Sequence, residues 1–145
     1  MVTEGATDLG RFSVHFEVAN QVDVIDAQRG LLAPDKVRRL TISGVVDSGA
    51  TRLVLPGKVV KQLGLPTLGK AKVRYANNQT ATRHKVEGVD VQLQGRHGVF
   101  TAIVEPKRRD ALIGAIVLED LDFLVDCTQQ RLVPRDPRFI VSEIE

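Results

Sequence analysis

Gly44-Val45-Val46-Asp47-Ser48-Gly49-Ala50-Thr51 is the stretch on which the reading of this chain turns. The apolar, β-branched run from Leu40 to Val46 stops abruptly at Asp47-Ser48-Gly49, as a buried strand does when it empties into a tight turn. A carboxylate there stands at the edge of a low-dielectric core, where its ionised form is disfavoured unless something compensates. Gly49 has no Cβ, so a second backbone can come close. Ser48 carries a hydroxyl able to hydrogen-bond across such an approach. In isolation, Asp-Ser-Gly is more often a plain strand-ending turn; its surroundings decide.

Upstream, Phe12, Val14, Phe16 and Val18 alternate with Ser13, His15 and Glu17, the period of a half-buried strand. Val22-Asp23-Val24-Ile25 reads as a second strand, followed by a loop around Arg29-Gly30 and Ala33-Pro34-Asp35. Downstream, Leu53-Val54-Leu55 is extended. Pro56-Gly57 opens a short helix over Lys58 to Leu63, with Gly64 as its stop. Ala71 to Val86 is again extended and is broken by Asn77-Asn78, which tolerate the positive φ of a hairpin tip. Val89, Val91 and Leu93 alternate, Gly95-Arg96-His97-Gly98 reads as a turn, and Val99 to Val104 as a strand. Ala111-Leu112-Ile113-Gly114 leads into a helix from about Ala115 to Leu121. Phe123-Leu124-Val125 and Arg131-Leu132-Val133 form a last hairpin, and Phe139-Ile140-Val141 is an edge or interface strand candidate. One pattern occurs twice: strand, glycine-containing turn, short helix, over Val45 to Leu63 and over Ile103 to Leu121. An all-β, barrel-like domain with one or two short helices is the expected architecture, as a single unit over 1–145 with its core at about 10–134 and a tail at 135–145.

Composition narrows the function. With 43% hydrophobic and 26% charged residues the 145-residue chain can bury a real core, which argues against disorder. No window approaches the roughly 18 uninterrupted apolar residues of a membrane span, so no membrane partner is expected. One cysteine, Cys127, cannot form an internal disulfide, and Met1-Val2-Thr3-Glu4-Gly5 lacks a leader pattern; a reducing, cytoplasmic location is the expectation. Cys127 reads as a small buried or half-buried residue without a role. The net charge of +2 raises nucleic acid as a partner. The basic clusters Lys36 to Arg39, Lys70 to Arg74 and Lys107 to Arg109 are far apart in sequence, and a single tyrosine leaves little for bases to stack on, so none is expected. His15, His84 and His97 lack ligand spacing, so neither metal nor cofactor is expected. Asp120, Asp122 and Asp126 read as a solvated face.

The run from Gly44 to Thr51 resembles the apolar-apolar-Asp-Thr/Ser-Gly-Ala motif of retropepsin-like aspartic peptidases, in particular their small single-domain bacterial members. Ala111-Leu112-Ile113-Gly114 plus a helix is similar to that family's second apolar-apolar-Gly element. The resemblance spans about 40–134. It implies a closed retropepsin barrel acting as a homodimer, an endopeptidase with Asp47 as the catalytic residue and Ser48, Gly49 and Ala50 completing the active-site turn. Leu112, Ile113 and Gly114 would form the second element. The hairpin from Lys72 to Arg83, tipped by Tyr75, Ala76, Asn77 and Asn78, would be the flap over an extended peptide. Viral members carry an acid just after the first motif and an Arg after the second; here those places read Thr51-Arg52 and Ala115-Ile116. An alternative keeps the fold without the chemistry, as a dimerisation or peptide-binding module.

Overall fold

The computed structural model describes residues 11–145, so Met1 to Gly5, read above for a leader, lie outside the described residues. Strand β1 (Arg11–Asn20) pairs antiparallel with β2 (Arg39–Asp47) from Arg11↔Asp47 to Ala19↔Arg39. β3 (Leu53–Pro56), β4 (Thr67–Arg74), β5 (Thr80–Leu93), β6 (Arg96–Glu105) and β7 (Ala111–Ile113) complete the sheet, in the order β1-β2-β7-β3-β6-β5-β4. A further pairing of β1 with β5, Glu17↔Gln92 to Asn20↔Val89, closes six of these strands into a barrel. Closure leaves those strands no free edge and encloses the fully buried Leu53, Leu55, Leu93 and Ile113, each stabilising by about 1.5–3 kcal/mol relative to exposure. β4 stays outside the ring as an arm on β5. β5 can serve both because it carries an irregularity between Val86 and Val89, where Gly88 takes φ +70°: before it β5 pairs with β4, after it with β1.

The sequence repeat is a structural one. β2 runs parallel to β7 (Val45↔Leu112) and β6 parallel to β3 (Ile103↔Val54), and the two units meet at the antiparallel pair Val54↔Leu112. Helix α2 (Gly57–Leu63) follows β3 and α3 (Ala115–Asp120) follows β7. The fold is thus mostly β, as expected, with β8 (Phe123–Asp126) and β9 (Arg131–Pro134) as a separate closing hairpin. No helix among the described residues is long and apolar enough to cross a membrane.

Several expectations fail for identifiable reasons. Val22 to Ile25 is not a strand: Gln21–Gln28 is helix α1, making three α-helices rather than one or two. Asn20 caps it, its Oδ1 accepting from Asp23 N at 3.1 Å while its Nδ2 donates to Leu63 O at 2.8 Å. A cap with an acid in the first turn overrides the strand preference of Val and Ile. The turn near Arg96 is instead Gln94-Gly95, both at positive φ, and Arg96 begins β6 as a buried residue. Its guanidinium donates to Leu121 O and Asp122 O, both at 2.9 Å, and lies under the Phe139 ring at 4.3 Å. Phe139 to Val141 accordingly form no strand; Phe139 packs on the core. Asp122 is no solvated acid: it is buried and bonded by Arg135. Cys127 is exposed rather than buried.

Candidate active site

Asp47 is the last residue of β2, one step beyond the fully buried Val46. Ala50 N donates to Asp47 O at 3.0 Å, folding the chain back, and Gly49 N donates to Asp47 Oδ1, also at 3.0 Å. The amide fixes one carboxylate oxygen; Arg11 Nε stands 3.6 Å from the other, and the Asp47 side chain is a quarter exposed. A Cβ on Gly49 would sit 3.2 Å from Asp47 Oδ1, so glycine keeps this face of the acid open. Ser48 is exposed, and among the described residues its hydroxyl makes no hydrogen bond.

The loop from Ala50 to Arg52 is fastened from the second unit. Ala115 N donates to Ala50 O at 2.8 Å and Ile116 N to Thr51 O at 2.9 Å. These are amides that the first turn of α3 cannot satisfy internally. Two backbone bonds therefore hold the loop in place. Gly114 makes the contact possible: a Cβ there would lie 2.5 Å from Arg52 O and 2.8 Å from Thr51 C, inside any real contact distance.

Sequence reasoning missed Glu105. It ends β6 as Asp47 ends β2, and Arg108 N donates to Glu105 O at 3.2 Å, the same turn as Ala50 on Asp47. Aligning Val45 to Leu63 with Ile103 to Leu121 sets Glu105 opposite Asp47, so the signal was present in the repeat. Its use differs. Arg83 Nε donates to Glu105 Oε1 at 2.7 Å and the Tyr75 hydroxyl donates to Oε2. The Glu105 carboxylate, holding that phenolic proton, pushes Tyr75 above its ordinary pKa, with burial adding to the effect.

Tyr75 opens the tip of the β4–β5 hairpin. Tyr75 N donates to Gln79 O at 2.8 Å, Gln79 N to Asn77 Oδ1 at 3.0 Å, and Asn78 takes φ +68°. Ala76, Asn77 and Asn78 are exposed. The hairpin thus arches over the barrel and is tied to it at Glu105. Beneath it lies a cleft of about 750 Å³, bounded by the 49–52 turn, β4 from Ala71 to Tyr75, and the Glu105 loop. Of the second element, Leu112 lines this cleft, Ile113 is fully buried and Gly114 abuts the turn. Two basic clusters that look unrelated in sequence meet here: Lys72 and Arg74 from one, Lys107 and Arg108 from the other.

Residues 34–117, more than half of the chain, match the aspartyl protease family. The chain belongs to that family. Among solved structures it is similar to one described as EIAV protease complexed with the inhibitor HBY-793, at 19% identity and a TM-score of 0.46, over 56% of this chain and 77% of that one. No curated protein sequence matches it.

Proposed function

We propose that this chain is one half of a retropepsin-type aspartic endopeptidase, a homodimer in which two copies of Asp47 hydrolyse peptide bonds without metal or cofactor. The observation that carries this reading is the Asp47 turn. Its carboxylate is oriented by the Gly49 amide, its neighbours Ser48 and Gly49 are exposed, and the turn that follows it, from Gly49 to Arg52, lines a cleft roofed by a hairpin. The acid that mirrors Asp47 inside the chain is Glu105, whose two oxygens are each engaged by Tyr75 or Arg83. The second carboxylate must therefore come from another copy, through an isologous contact near a two-fold axis.

In that dimer two carboxylates about 3 Å apart cannot both ionise and share one proton. The ionised one takes a proton from water, which attacks the scissile carbonyl carbon, while the other protonates the carbonyl oxygen. The tetrahedral species collapses with cleavage of the C–N bond and return of a proton to the amine. Ser48, Gly49 and Ala50 shape the turn, Ser48 offering its hydroxyl to the facing copy. Tyr75 to Asn78 act as the flap, and an extended peptide pairs with the open edge of β4, which among the described strands bonds only to β5. The test is Asp47→Asn: the variant should remain a dimer and lose peptide cleavage. Unchanged cleavage would refute the assignment.

A further inference from the structure

We infer that the cleft selects acidic peptides: its substrates carry Asp or Glu side chains flanking the scissile bond. This deepens the peptidase reading and rests on its placement of the peptide in the cleft under the β4–β5 hairpin. The cleft is bounded by five cationic residues, Arg52, Lys72, Arg74, Lys107 and Arg108, against one carboxylate, Glu105. Glu105 has both oxygens committed to Tyr75 and Arg83, so it neutralises none of the five. Arg108 is partly used, its Nε donating to Asp110 O at 2.7 Å. Among the described residues Arg52, Lys72, Arg74 and Lys107 are exposed and in no ion pair.

The cations come from three elements. Arg52 extends the Asp47 turn, Lys107 and Arg108 sit on the loop after β6, and Lys72 and Arg74 belong to the hairpin. Alternation turns Ala71, Val73 and Tyr75 toward the barrel, leaving Lys72 and Arg74 on the hairpin's outer face. A hairpin is one layer thick, and charges within the Debye length of roughly 8–10 Å still act on a bound peptide. Like-signed charge along a low-dielectric cleft concentrates its counter-charge there. Peptide is favoured over nucleic acid by the edge of β4 that no described strand pairs and by the one aromatic among the cleft's described lining, Tyr75, whose hydroxyl is already bonded to Glu105.

The test uses three fluorescent decapeptides with one apolar centre flanked by Glu, Gln or Lys, titrated by anisotropy against the full-length Asp47→Asn protein. The Glu peptide should bind about tenfold tighter than the Gln peptide at low salt, with the gap closing at high salt. The double substitution Arg52→Glu with Lys107→Glu, at two exposed positions, should reverse the order, and its circular dichroism should match the parent. Equal binding of all three, no binding, a preference for Lys, or displacement of the Glu peptide by a single-stranded oligonucleotide at lower concentration would overturn the inference. The same peptides given to the unsubstituted protein separate the two ideas. Cleavage without charge preference leaves the peptidase standing and removes the specificity; charge-selective binding without cleavage does the reverse.

Discussion

Asp47 and Glu105 end equivalent strands, begin equivalent loops of five residues and lie under equivalent turns, yet they are put to opposite uses. Asp47 is short, bonded by its own loop's Gly49 amide and next to an exposed Ser48. Glu105 is one methylene longer, reaches away from its loop and secures the hairpin through Tyr75 and Arg83. The duplicated backbone thus supplies two acids per chain, and side-chain length with neighbouring donors decides which one stays at its own turn and which one ties down the hairpin.

Asp47→Asn breaks the comparison most severely. Removing one acid–base group should lower kcat by about 10³-fold, roughly 4 kcal/mol of transition-state stabilisation, with the melting temperature little changed. Glu105→Gln in the same assay should leave kcat within about threefold. A similar loss from both would show that the two acids act together. The glycines behind the two loops come next. Gly114→Ala drives a Cβ into Arg52 O at 2.5 Å and should cost about 3 kcal/mol of stability by chemical denaturation. Gly57→Ala meets only Pro106, at 3.1 Å, and should cost about 1 kcal/mol.

Glu105→Gln sharpens the contrast at the hairpin. Losing a charged acceptor should weaken the tie by about 1.5 kcal/mol. Amide exchange from Tyr75 to Gln79 should quicken by about tenfold, and KM should rise while kcat holds. Asp23, outside both loops, is the control and the smallest effect. Hydrogen bonding from Arg38 holds its carboxyl below the ordinary 3.8. The stability it adds is thus complete above that value and fades as pH falls through its lower folded pKa. Thermal melts of Asp23→Asn should run about 1 kcal/mol below the parent near neutral pH and converge with it once pH falls below that folded pKa, with no change in cleavage at neutral pH.

Much of this is legible in the sequence. Asp47 at the end of an apolar run, the Asn77-Asn78 tip, the Gly64 stop and the two-unit pattern depend on local periodicity and turn chemistry, which neighbours in sequence determine. Two things were less so. Val22 to Ile25 carries strand-like composition, and its helix depends on Asn20, which also reaches Leu63, 43 residues away. Arg96 reads as a turn cation because what buries it, the carbonyls of Leu121 and Asp122 and the Phe139 ring, lies 25 residues or more downstream. Glu105 stands between these cases: the repeat places it, while only the fold brings Arg83 and Tyr75 to it. The cleft's charge is hidden for the same reason, since two clusters more than 30 residues apart in sequence converge across it.

Specific activity measured against protein concentration, with mass followed by sedimentation in the same solutions, reaches the core of the account. Activity per chain should rise with the dimer fraction and vanish as dilution leaves single chains. Undiminished activity per chain in a solution containing only monomers would contradict it.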